Sequence, residues 1–224
     1  MDIDSIIQTA TVYAIPVLFA ISLHEAAHGY VARYFGDSTA ADLGRLSLNP
    51  ARHIHPFGTI LLPLLLAVIG LPPLGYAKPV PVDYERLRNP KKQMAFVAAA
   101  GPGANFAMGF GWTVLWVVLM LGLGQDRADF FVKMAEAGVL VNAAMCVFNL
   151  IPLPPLDGGR IVTGILPMPY AYHYAKIERY GVVVFIALIV MLQFGLLTGP
   201  LMEGILFVQQ MFKVMVSPLV AILR

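Results

Sequence analysis

The sequence predicts an all-α polytopic membrane protein, and three observations carry that prediction. Apolar residues fill 58% of the 224 positions and charged residues 12%, against about 45–50% and 25% in an ordinary soluble domain. Several apolar runs approach the roughly 20 residues that a helix needs to cross a hydrocarbon layer about 30 Å thick. The first run, Thr9 to Tyr34, carries His24-Glu25-Ala26-Ala27-His28 near its end. Ionisable groups at such depth are costly unless they pair, hold a metal or line a wet cavity.

The first helix is therefore the most informative element. Residues four apart lie one turn apart on one face, about 6 Å along the axis. His24 and His28 can thus reach one metal ion, and Glu25 stands beside them to take a proton from water. The start, Met1-Asp2-Ile3-Asp4, is acidic, unlike the basic start of a cleaved signal peptide, so this helix is expected to remain in the mature protein.

Asp42 to Asn49 alternates polar and apolar residues before Pro50, the pattern of a half-buried strand. A short membrane-associated β-hairpin is expected there, and its open edge could take up an extended substrate by strand addition; an amphipathic loop is the other reading. His53 and His55 would share a face in a strand, but Pro56 interrupts it, so structural or surface roles are expected ahead of extra metal ligation. Gly58–Leu74 is apolar but contains Pro63, Gly70, Pro72 and Pro73, which suits a re-entrant segment. Further apolar segments run Phe96–Leu123, Met134–Ile151, Gly181–Leu197 and Leu201–Leu223. The last holds Glu203 and Lys213; Lys213 should face protein, or this helix should lie partly in the interface.

Basic residues orient the bundle. Arg33, Arg45 and Arg52 precede Gly58, and Lys78, Arg86, Arg88, Lys91 and Lys92 follow Leu74. Both groups belong in the cytoplasm, which requires the segment between them to dip and return. The acidic loop Gly124–Phe131 reads as external and Pro152–Tyr180 as internal. The N-terminus is then outside, the histidines lie nearer the cytoplasmic leaflet, and Arg224 is cytoplasmic if both last segments cross.

A catalytic zinc usually has three protein ligands and one open position. Glu136 lies at the outer end of its segment, and Glu178 and Glu203 have no motif around them. Asp157 is the best third ligand: it follows the proline-broken end of the Met134 segment, precedes Gly158-Gly159, and matches the histidines in depth. Asn149, one turn before the Pro152 break, could donate to an oxyanion or satisfy a carbonyl freed by that break. Asn105 is expected to tie its own helix to the core. The single cysteine, Cys146, excludes an intrachain disulfide framework and a Cys-rich metal site, and it reads as core. The tyrosines and tryptophans read as interface anchors or packing. A net charge of +2 without a basic patch gives no footprint for nucleic acid.

These motifs resemble the site-2 protease family of intramembrane zinc metalloproteases. His24 to His28 matches its HExxH, and Asn149 to Gly158 matches its NxxPxPxxDG pattern. Gly101-Pro102-Gly103-Ala104-Asn105 matches a glycine-proline-asparagine element, and Gly75 to Val82 resembles a stretch of the small prokaryotic branch. The resemblance implies a three-helix metalloprotease core with additional helices, and zinc held by His24, His28 and Asp157. It implies cleavage of peptide bonds within or beside the transmembrane helices of protein or peptide substrates in a lipid bilayer. One peptidase domain over 1–224 is expected, with its core at about 8–160 and C-terminal helices at 176–223. The family's common PDZ or CBS domain is not visible, so regulation by such a domain in cis is not expected, and an unidentified regulatory subunit is left open as a partner. The competing readings are a membrane metal transporter and a zinc-binding scaffold of the same fold. No inverted repeat supports the transporter, and the presence of Glu25 disfavours the scaffold.

Overall fold

A computed structural model describes residues 3–52, 55–61, 78–122 and 125–223, and the chain is helical throughout them apart from turns and extended connections. Helix α1 (Ile3–Tyr34) is followed by the single turn α2 (Thr39–Asp42), then α3 (Pro90–Gly122) and α4 (Gln125–Asn149). After a proline-rich turn come α5 (Asp157–Ile165), α6 (Met168–Ala175), α7 (Gly181–Gln193) and α8 (Thr198–Leu223). Four stretches are long and apolar enough to cross a membrane: Ile7–Tyr34, Pro90–Gly122, Asp129–Asn149 and Thr198–Ile222.

Local chemistry sets the ends of the core helices. α3 begins at Pro90, where the missing N–H has no intrahelical partner to lose, and the Gln93 side chain accepts the Asn89 N–H at 2.7 Å. α4 stops at Asn149 because the prolines at 152, 154 and 155 cannot continue its hydrogen-bond ladder. α5 then turns back against that break. A Cβ on Gly158 would strike the Leu150 and Ile151 carbonyls, and one on Gly159 would strike the Pro154 nitrogen. Two glycines after Asp157 are what lets the short helix close on the chain that precedes it.

α3 is the hub, packed against α1, α4, α5 and α8. The main chain of Arg88, just before α3, donates to the Phe35 carbonyl at 3.0 Å, just after α1. The end of α1 and the start of α3 therefore meet, and the two helices run antiparallel. α8 covers the far side through Phe212, fully buried among Ala143, Ile205 and Val208. It fits because a Cβ on Gly109 would sit 2.7 Å from its ring. In a membrane interior such close packing replaces the hydrophobic drive available in water.

Two expectations change here, and a third narrows. No strand occurs among the described residues, and Asp42–Asn49 does not form the expected hairpin. Asp42 ends α2, Ser38 Oγ donates to its carboxylate at 2.7 Å, and Gly44 takes φ +64° as the chain reverses. Arg45 and Leu46 N–H groups return to the Ala40 carbonyl. Local turn bonds thus consume the groups a ladder would need. Gly181–Leu197 is also shorter than expected: α7 has 13 residues, about 20 Å, and is not among the helices long enough to cross. Of the two expectations for Lys213, exposure removes the one in which it faces protein and leaves the one in which the helix lies partly in the interface. The expected re-entrant segment Gly58–Leu74 lies mostly outside the described residues, as does His53; of that segment only a helical turn at Pro56–Leu61 is described.

Candidate active site

His24 and His28 lie on the face of α1 that meets α3, and the first turn of α5 brings Asp157 to them. The two Nε2 atoms are 3.1 Å apart. Asp157 Oδ2 is 3.1 Å from Nε2 of His24 and 3.4 Å from that of His28. The other ring nitrogens are anchored. His28 Nδ1 donates to the Val97 carbonyl at 2.7 Å, and His24 Nδ1 lies 2.6 Å from Asn105 Oδ1. The orientation of the Asn105 amide is fixed because its Nδ2 donates to the Ala20 carbonyl and to Asn142 Oδ1, each at 3.1 Å. Asn142 in turn donates to the Gly138 carbonyl at 2.9 Å.

These anchors place the proton on Nδ1, so each imidazole, when neutral, presents its lone pair from Nε2. Three electron-pair donors then face one another, and Asp157 Oδ2 is buried without a hydrogen-bond partner. A cation resolves that arrangement. Zinc fits by size as well: bonds of about 2.0–2.1 Å in a tetrahedron put ligand atoms about 3.3–3.4 Å apart. Gly101 makes the space, since a Cβ there would lie 2.5 Å from His24 Cε1 and His28 Nε2. Among the described residues this is the group of His, Cys, Asp and Glu side chains able to hold a metal.

Glu25 is half-buried and stands outside the ligand triad; its Oε2 accepts the Val80 N–H at 2.9 Å. Val80 lies in a stretch that forms neither helix nor strand, Lys78 to Val82, fastened at both ends. Arg45 Nη2 donates to the Lys78 and Pro79 carbonyls at 3.3 and 3.2 Å. The Asp83 N–H donates to Asp37 Oδ2 at 2.8 Å. Burial alone would raise the Asp37 carboxyl, but the Thr39 hydroxyl and N–H, the Asp83 N–H and the Arg86 charge outweigh it and hold the group below its ordinary range.

The remaining candidates are engaged in other bonds. Asn149 Nδ2 donates to the Met145 carbonyl at 3.0 Å within its own helix. Glu136 accepts the Trp116 indole N–H at 3.1 Å, and Glu178 pairs with Arg160. His55 Nδ1 accepts the Gly58 N–H at 3.0 Å, closing the turn at 56–61. Sequence reasoning missed Val80, Val97 and Asn142. The first two act through main-chain atoms, which leave no side-chain signature. Asn142 carried one signal, a lone amide within an apolar segment, where an unpaired polar group is costly.

Two histidines and one carboxylate able to hold a metal, a glutamate outside that triad and four helices long and apolar enough to cross a membrane fit an intramembrane metallopeptidase. The model of peptidase family M50 matches residues 12–137 and 120–192. "Putative zinc metalloprotease YwhC" of Bacillus subtilis is 38% identical over 181 residues, covering 79% of this chain and 78% of that protein. "Putative zinc metalloprotease Rip2" of Mycolicibacterium smegmatis is 30% identical over 179 residues, 77% of this chain and 64% of the relative. Rip2 of Mycobacterium tuberculosis is 33% identical over 144 residues, covering 63% and 52%. No solved structure matches the chain. The chain belongs to peptidase family M50, the site-2 protease family. It is a zinc metalloprotease of the membrane, and the transporter and scaffold readings are not favoured.

Proposed function

We propose that His24, His28 and Asp157 hold the zinc and that Glu25 is the general base in hydrolysis of peptide bonds within or beside substrate transmembrane helices. The observation that carries this reading is the buried Asp157 oxygen without a hydrogen-bond partner, 3.1 and 3.4 Å from two Nε2 atoms. When bound, zinc supplies a more acidic water and polarises the scissile carbonyl. Glu25 accepts the proton released by that water and delivers it to the leaving amine. Asn105 and the Val97 carbonyl hold the two imidazoles in the binding tautomer.

Asn149 would have to release the Met145 carbonyl to serve an oxyanion, so its present bond supports the helix-end role. We read the whole chain as one peptidase domain, acting on transmembrane proteins or peptides within a bilayer. The basic residues at 45–52 and 78–92 support a site opening towards the cytoplasm.

The test compares wild type with Glu25→Gln in detergent on candidate single-span substrates. The amide keeps the shape of the side chain and is not asked to bind metal, so zinc content should be unchanged while cleavage falls by about 10²-fold or more. Cleavage at the wild-type rate would remove Glu25 from the mechanism, and loss of zinc would make it part of the metal centre.

A further inference from the structure

We propose that the main-chain N–H of Val80 is a positioning donor for Glu25, and that Lys78–Val82 is a strap whose task is to hold that donor in place. The inference rests on Glu25 acting as base, as read above, and adds what orients it. Glu25 is adjacent to His24 in sequence, but no other hydrogen bond of its carboxylate is described apart from that of Val80 at 2.9 Å. The bond engages Oε2 and leaves Oε1 for water. A carboxylate on three rotatable side-chain bonds would otherwise sample many directions, and a misplacement of about 1 Å can cost about 10²-fold in rate.

The strap is built for this single contact. Pro79 and Pro81 carry no N–H, and each forces the residue before it into extended backbone. Val80 is therefore preset as extended and is flanked by residues with no donor of their own. Its side chain is 6% exposed and seats against α1: a Cβ on Gly29 would come within 2.8 Å of Val80 Cγ1 and 2.9 Å of Leu46 Cδ1. Gly29 lies one turn beyond Glu25, so the socket and the base ride on the same helix. Arg45 at one end and Asp37 at the other fix the height of the strap over it. The prolines also leave the opposite edge with carbonyls but no donors, so this edge cannot pair as a normal strand.

Val80→Pro deletes the N–H, whereas Val80→Ala keeps the N–H and trims the packing. We expect Val80→Pro to lower kcat by about tenfold or more with KM and zinc content unchanged, and Val80→Ala, which loosens the seat but keeps the donor, to lower it less. An unchanged kcat in Val80→Pro would make the contact incidental, and a raised one would make it a brake; either overturns the proposal. Amide exchange provides a readout that needs neither proteolysis nor a stable proline variant. Residues 78–82 hold only three exchangeable amides. Glu25→Ala should speed exchange at Val80 by about tenfold, while Glu25→Gln, which keeps an acceptor oxygen, should not. Equal exchange at Val80 in wild type and Glu25→Ala overturns the proposal, whatever the enzyme cuts.

Discussion

The Nδ1 atom of His24 and the side-chain oxygen of Asn105 lie 2.6 Å apart in the buried interface of α1 and α3, 81 positions apart in sequence. That bond decides which imidazole nitrogen faces Asp157. Asn105 cannot rotate its amide to offer nitrogen instead, because Ala20 and Asn142 already take that nitrogen. A structural tie between helices and the choice of a histidine tautomer are thus one feature.

Asn105→Ala should therefore weaken zinc binding by about 10- to 100-fold, the usual cost of removing a partner that orients a ligand. Competition with a chelator, followed on the purified protein, checks this without substrate. Affinity equal to wild type would show that His24 keeps its orientation without the amide.

Gly101→Ala should abolish stoichiometric zinc, since the added methyl would occupy the space of His24 Cε1 and His28 Nε2. Gly103→Ala, two residues along the same helix, meets nothing within 4 Å. It should keep its zinc and gain helix stability of up to about 1 kcal/mol. Metal analysis of both proteins after identical purification separates steric exclusion from a general loss of helix packing; equal zinc in the two would reject the exclusion.

Asp37 should make the protein sensitive to acid. Its carboxyl titrates lower in the folded chain than the value of about 3.9 expected when unfolded. Its contribution to stability is therefore complete above that value and is lost as the pH falls through it towards the folded value. Thermal unfolding of wild type should drop more steeply below about pH 4 than that of Asp37→Asn, which should be the less stable of the two at neutral pH. Parallel pH profiles would place the acid sensitivity elsewhere.

Asn49 and Asn89 should lie on the same side of the membrane. The Arg88 bond to Phe35 brings the end of α1 to the start of α3, and both stretches are rich in basic residues. Single cysteines at these positions, with Cys146 replaced, should react with an impermeant reagent only from the cytoplasmic side. Labelling from opposite sides would overturn the orientation.

What the sequence could reveal depended on how far each interaction reached along the chain. His24 and His28 were legible because helix periodicity alone puts residues four apart on one face. Asp157 was legible because the prolines before it and glycines after it mark a break at the right depth. Val80, 55 positions from Glu25, was not: a main-chain donor looks the same beside every residue type. The expected hairpin failed for a different reason. Leu43 and Leu48 are exposed, and the turn at Gly44 is decided by short side chains bonding to nearby backbone, which alternation does not register. Gly181–Leu197 was apolar enough for a span, but its helix ends at Gln193, and Gly195 at φ +76° reverses the chain.

The distance along the chain between the histidines and their third partner also sets a clock. Asp157 leaves the ribosome 133 residues after His24. At about 5–20 residues per second, the first helix waits on the order of ten seconds before the carboxylate that completes the centre has been made. With Asp157 as the proposed third ligand, Glu25 would have no complete metal site beside it throughout that interval. The protease would then be inert while it is itself a row of newly inserted, unpacked helices, and competent only once its own bundle has closed.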